Sequence, residues 1–197
     1  MTKIAFDGAA DRLSEIIRGE SVGMAHYYVA IDGADDGKIA ALAEELAAKL
    51  SAFVIPTGAF ALPSNKLTPE RKATPGGAFD HERFTREVAR EFLAKKLPVY
   101  GVYAERIRGT VERVQVPERG VYLIAGRYAL HPEVPDFYDL RIVLQNDGAD
   151  ETASAYLSAY MIEAFCDVLL TSDPSDADGD EEGFTGFSLP LSLDGDA

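Results

Sequence analysis

The chain has a single cysteine, Cys166, so no internal disulfide can form, which agrees with a reducing compartment. It has no apolar run near the roughly 20 residues that a membrane-spanning helix needs. Its first residues, MTKIAFDGAADRL, lack the basic and apolar segments of a signal peptide. These absences together predict a cytoplasmic protein. The three histidines, His26, His81 and His131, are scattered, and Cys166 has no partner at ligand spacing, so no metal site is expected. No Ser-His-Asp order rises above chance composition, and no internal repeat is present. Lys and Arg are missing from residues 171–197, which carry eight acids, Asp173, Asp176, Asp178, Asp180, Glu181, Glu182, Asp194 and Asp196. The first 170 residues then hold 25 acids against 19 bases. A mildly acidic body and a strongly acidic end argue against a nucleic-acid backbone as partner.

What remains is the composition of one globular unit. At 197 residues and 47% hydrophobic content, the chain can bury a sizeable core. The expected division is one domain over 1–170 and a flexible acidic tail over 171–197.

Short apolar runs alternate with helical patterns along the chain. Residues 8–19 place Leu13, Ile16 and Ile17 on one helical face. Tyr27 to Ile31 reads as a buried strand ended by Asp32-Gly33, and Ile39 to Leu50 as an Ala/Leu/Glu-rich helix. Phe53 to Ile55 is a second buried strand. Residues 56–79 hold four prolines and three glycines and read as a long loop. Asp80 is a candidate cap for a helix from about Glu82 to Lys96, with Phe84, Val88 and Phe92 on its apolar face and Leu93 beside them. Val99–Tyr103 and Val111–Val116 read as two paired strands. Val121–Ala125, Leu140–Leu144 and Val168–Leu170 read as core strands. A helix is expected to start at Asp147 or Asp150 and run to about Phe165, with Tyr156, Tyr160 and Phe165 in the core. This alternation predicts an α/β fold, a mostly parallel sheet with helices on both faces.

The turn between the first buried strand and its helix, Gly33-Ala34-Asp35-Asp36-Gly37-Lys38-Ile39, is close to a phosphate-binding loop. A working loop reads G-x-x-x-x-G-K-[ST], and its backbone N–H groups cradle phosphate at the helix N-terminus. Here three residues, not four, separate the glycines. Ile39 stands where a magnesium-binding hydroxyl belongs.

Two longer stretches, LTPERKATPGGAFDHERFTREV (67–88) and GVYLIAGRYALHPEVPDFYDLRIVL (120–144), complete a pattern. With the loop, they resemble the uridine kinase and phosphoribulokinase-like group of P-loop kinases, especially its small bacterial members. The similarity spans about residues 10 to 170. It implies a three-layer α/β/α P-loop NTPase-like fold, with ATP and magnesium as cofactors and a small hydroxyl-bearing acceptor.

The residues depart from that family pattern at five places. The loop is short, with Asp35 and Asp36 in its crown. Ile39 replaces the hydroxyl. Pro56-Thr57-Gly58-Ala59-Phe60 carries no acid where the family has an Asp after its second strand. Ala125 stands where the family segment ends in Glu-Gly. Residues 145–165 contain no Arg or Lys, where the family has an arginine-bearing lid. These losses favour a degenerate pseudokinase with no cofactor, which binds a small molecule or a protein partner, with a homodimer as one expected form. The alternative is an active ATP- and magnesium-dependent nucleoside or sugar kinase with an atypical loop.

The candidate ligand-binding residues are Gly33, Asp35, Asp36, Gly37, Lys38, Asp80, Arg83, Arg127 and His131. Asp35 and Asp36 either cap the helix where phosphate would sit or point into solvent. Lys38 binds an anion or pairs locally. Asp80 and Arg83 contact a sugar or small polyol, or serve as helix cap and ion pair. Arg127 and His131 follow a core strand, where open α/β sheets place ligands. No catalytic or metal-ligating residue is assigned, and nucleic acid and membrane are not expected as partners.

Overall fold

The computed structural model describes residues 1–104, 109–145 and 150–172. Asp147 and the acidic stretch from 173 onward lie outside the described residues.

Six strands form one parallel sheet: β1 (Thr2–Ala5), β8 (Val168–Thr171), β7 (Leu140–Leu144), β2 (Tyr27–Gly33), β6 (Val121–Ala125) and β3 (Phe53–Pro56), in that spatial order. β2 is central. Val29 to Gly33 lie beside Leu140 to Leu144 on one side, and Tyr27 to Ile31 beside Val121 to Ala125 on the other. Every residue of β2 is buried, as expected of a strand covered on both faces.

Side chains of period two divide the core between those faces. Tyr27, Val29 and Ile31 meet Leu13 and Ile17 of α1 (Ala9–Glu20) and Ile39, Leu42 and Leu46 of α2 (Asp36–Leu50). Tyr28 and Ala30 face the opposite way, toward an aromatic cluster that includes Phe60, Phe79, Phe84 and Phe92. Beyond β7, Val143 and Leu169 pack on Tyr156 and Leu157 of α6 (Glu151–Ala159). Helices thus cover both faces of the sheet, as the alternation of patterns predicts. Among the described residues, no helix is long and apolar enough to cross a membrane.

The structure corrects several expectations. Thr2–Ala5 is a strand the sequence reading does not anticipate. Only Ile4 in it is buried, so it has little local signal, and it is held by β8 from the far end of the chain. The 56–79 segment has structure of its own: 3-10 turns at Thr57–Phe60 and Ser64–Lys66, α3 (Pro69–Ala73), and a bridge between Ala61 and Phe79. The following helix is α4 (His81–Phe84), a π turn (Thr85–Ala89) and α5 (Arg90–Leu93). It stops before Lys96, since Lys95 takes positive φ. Leu93 and Phe165 are exposed rather than in the core. The helix expected to reach Phe165 ends at Ala159, and a positive φ at Met161 separates it from a 3-10 turn at Ile162–Phe165.

β4 (Val99–Ala104) and β5 (Gly109–Gln115) pair antiparallel as a separate two-stranded sheet. Its start is tied to the body by Arg83, whose two terminal nitrogens donate to the carbonyls of Gly101 (2.7 Å) and Ala59 (2.6 Å).

Candidate functional site

Because all six strands run the same way, Gly33, Pro56, Ala125 and Leu144 end at one edge of the sheet. The N-terminus of α2 rises from that edge. Its cap is Asp35, whose carboxylate accepts the Lys38 N–H at 3.0 Å. One of the four unpaired N–H groups of a helix start is thereby satisfied by a carboxylate, which the helix dipole also favours. Of the two readings of Asp35, capping is the one the geometry adopts.

Asp36 does something else. It accepts the Arg127 N–H at 3.2 Å and lies 3.0 Å from the Arg127 Nε. Arg127 also reaches Asp150, the cap of α6, at 2.6 Å. Burial opposes the charge on Arg127, but Asp36 and Asp150 outweigh it and raise its pKa above the ordinary value. One guanidinium thus joins the starts of α2 and α6, and two carboxylates flank it.

Lys38 leans the other way, 5.8 Å over the Phe6 ring and 4.0 Å from Asp35. Gly33 has a positive φ, and a Cβ there would stand 2.8 Å from the Leu144 Cβ, so its bare Cα permits close packing of β2 on β7.

Beside the loop lies a cleft of about 640 Å³. One wall is the α2 stripe of Asp36, Ala40, Ala43 and Glu44. The opposite wall includes Val54, Pro56 and Phe79, and the sheet edge supplies Thr57, Gly126 and Arg127. Its size and mainly apolar lining are those of a small-molecule site.

Asp36 and Arg127 are the two sequence-level candidates that meet in this cleft. Asp80 and Arg83 sit just beyond it. Asp80 caps α4 by accepting the Arg83 N–H at 3.0 Å, and the Arg83 guanidinium lies 4.5 Å over the Phe60 ring. His131 is buried and lines a second cleft of about 520 Å³. It stacks on His81 with ring centroids 4.9 Å apart. Burial first, then His81 and Arg71, lower the His131 pKa to about 4, so it is neutral near pH 7.

Two residues of consequence escape the sequence reading. Asp32, read as a strand terminator, is fully buried. Its carboxylate accepts four hydrogen bonds, from Gly33 N (2.7 Å), Tyr128 N (3.0 Å), Leu130 N (2.9 Å) and the Tyr156 hydroxyl (2.9 Å). It pins the turn after β6 to the end of β2 and to α6, and so positions Arg127. Burial raises its pKa to about 6, against the pull of those four donors. The available signal was a carboxylate inside the run YYVAID, since such a group must find partners when both faces of the strand are covered. Thr57, the second residue, carries no sequence signal of its own.

No family model and no curated protein matches the sequence. Solved structures do match. A protein described as a possible uridine kinase from Bacillus stearothermophilus aligns with a TM-score of 0.67 at 16% identity, over 82% of this chain and 96% of the other. A protein described as a fructose transport system kinase from Silicibacter sp. TM1040 aligns with a TM-score of 0.56 at 22% identity, over 84% of this chain and 98% of the other. This chain therefore has the α/β fold of the uridine kinase-like and sugar kinase P-loop proteins.

Proposed function

We propose that this chain is a uridine kinase-like protein that no longer transfers phosphoryl groups and instead binds a small molecule in the cleft between α2 and the ends of β3 and β6. The observation that carries this reading is the loop crown. Asp35 holds the Lys38 N–H, and Asp36 holds Arg127, where an anion-binding loop needs open donors.

A magnesium–nucleotide does not fit these residues. Each crown carboxylate repels a nearby phosphate charge by about 4 kcal/mol at 4 Å and an effective dielectric near 20. Ile39 has no oxygen for magnesium, and it is fully buried in the α2 core contact. Lys38, which would neutralise the outer phosphates, lies over Phe6. Phosphoryl transfer depends on positioning and charge neutralisation, and these residues offer neither. The segment from Pro56 to Phe60 and the strand end at Ala125 carry no carboxylate where the resemblance calls for one.

The test is a thermal-shift titration with ATP and GTP, with and without magnesium, paired with an assay of nucleotide consumption. A ligand at 100 times its Kd adds about 2.7 kcal/mol, which for a chain of this size raises Tm by about 5–10 °C. The expected result is no shift and no turnover. Magnesium-dependent turnover, or a shift of that size with MgATP, would establish the competing reading of an active nucleoside or sugar kinase.

A further inference from the structure

The charges and small side chains of the cleft assign its ligand to a chemical class. This inference rests on the cleft being a binding site, as proposed above. α2 contributes Asp36, Ala40 and Glu44 at intervals of four residues, so all three lie along one helical stripe. Asp36 and Glu44 are then about 12 Å apart along the helix axis. Ala40 and Ala43 between them leave room that larger side chains would fill.

Among the described residues, the one cation lining the cleft is Arg127, already flanked by Asp36 and Asp150. Glu44 has no ion-pair partner among the described residues. The lining therefore carries an uncompensated negative charge at the Glu44 end, and Asp36 remains 60% exposed at the other.

A second observation is independent of charge. Thr57 is only 4% exposed, yet it lines the cleft, and its hydroxyl has no hydrogen-bond partner among the described residues. It lies against the bare Cα of Gly126, where a Cβ would come within 2.2 Å of Oγ1. A hydroxyl that faces the cleft without a protein partner is open to a polar atom of a ligand in place of water.

We propose that the cleft takes a small organic cation, an amine whose apolar body packs between Ala40, Ala43, Val54 and Phe79. Its ammonium group faces the carboxylate side of α2, and a polar atom of the ligand bonds the Thr57 hydroxyl. An anionic ligand would meet Glu44 and Asp36 while finding Arg127 already paired.

The experiment is a chemical-shift titration of the full chain with matched triplets: 2-phenylethylamine, 2-phenylethanol and phenylacetate, and their cyclohexyl counterparts. The expected result is tightest binding by the amines, with shifts at residues 36–44, 57 and 125–128, and weakening as sodium chloride is raised. Glu44→Gln should lower amine affinity roughly three- to fivefold, the scale of a partly exposed ion pair, and leave the alcohol unchanged. Thr57→Val keeps the shape and should weaken the amines by several-fold. Equal or tighter binding by the alcohols or carboxylates in the same cleft overturns the ligand class while leaving the cleft as a binding site. If no triplet member shifts these residues, both the class and the cleft reading fall.

Discussion

Replacing Asp32 with Asn tests the balance of forces at the heart of the fold. Four donors favour the charged carboxylate, and complete burial disfavours it. Burial is the larger effect, and the pKa rises from its ordinary 3.8 to about 6. The sign follows from proton counting. Between these two values the folded chain holds a proton at Asp32 that the unfolded chain has released. The stability contributed by Asp32 is therefore fully present below pH 3.8 and lost as pH rises through about 6. Two pKa units amount to about 3 kcal/mol in all, of which about 1.4 kcal/mol falls between pH 5 and pH 8.

The protonated form is sterically reasonable, because the Tyr156 hydroxyl can turn from donor to acceptor. Asn in its place still accepts from two N–H groups, but its amide nitrogen leaves the Leu130 N–H unpaired, at about 1–3 kcal/mol. Asp32→Asn thus destabilises the chain by that amount when Asp32 is protonated, and becomes neutral or mildly stabilising at pH 8. Urea unfolding of both proteins at pH 5, 6, 7 and 8 gives the difference directly, since other titrating groups cancel between them. A cost that grows from pH 5 to pH 8 would refute the reasoning and show that the four hydrogen bonds outweigh burial.

Two further substitutions probe the loop and the cleft. Ile39→Ser restores the hydroxyl of a working phosphate loop, but it removes a fully buried side chain. It should cost about 3–5 kcal/mol in urea unfolding and bring no MgATP-dependent rise in Tm, because Asp35, Asp36 and the loop length are unchanged. Micromolar MgATP binding by this variant would show that the hydroxyl was the main defect. Gly126→Ala places a Cβ 2.2 Å from the Thr57 Oγ1 at a φ of +129°. It should cost at least about 2 kcal/mol and abolish the chemical-shift response of the cleft. A variant within about 0.5 kcal/mol of the parent would mean the turn has more freedom than its packing implies.

The resemblance of residues 67–88 and 120–144 to kinase sequences led to the right fold, which the two structural neighbours share. The loop offered Asp35 and Asp36 as a helix cap or as acids facing solvent, and the structure makes Asp35 the cap. The pairing of Asp36 with Arg127 was not legible, because 91 residues separate them and nothing local in either segment names the other.

Local chemistry determined what the sequence could determine by itself. Apolar runs of four to seven residues must be buried on both faces, so β2, β6, β7 and β8 were visible as strands. Three-and-four spacing made α1 and α2 visible, Asp80 announced the helix it caps, and Asp150 was one of two residues offered for the start of α6. Tertiary structure decided the rest. β1 is a strand because β8 lies beside it. Asp32 changed from a turn residue to a buried anchor because two distant segments, the turn after β6 and α6, bring donors to it. The cleft exists only where α2, β3 and β6 end together, and its charge is the sum of side chains that the sequence keeps far apart. Burial and long-range pairing set the energy of those groups, and neither is a property of any local stretch of chain.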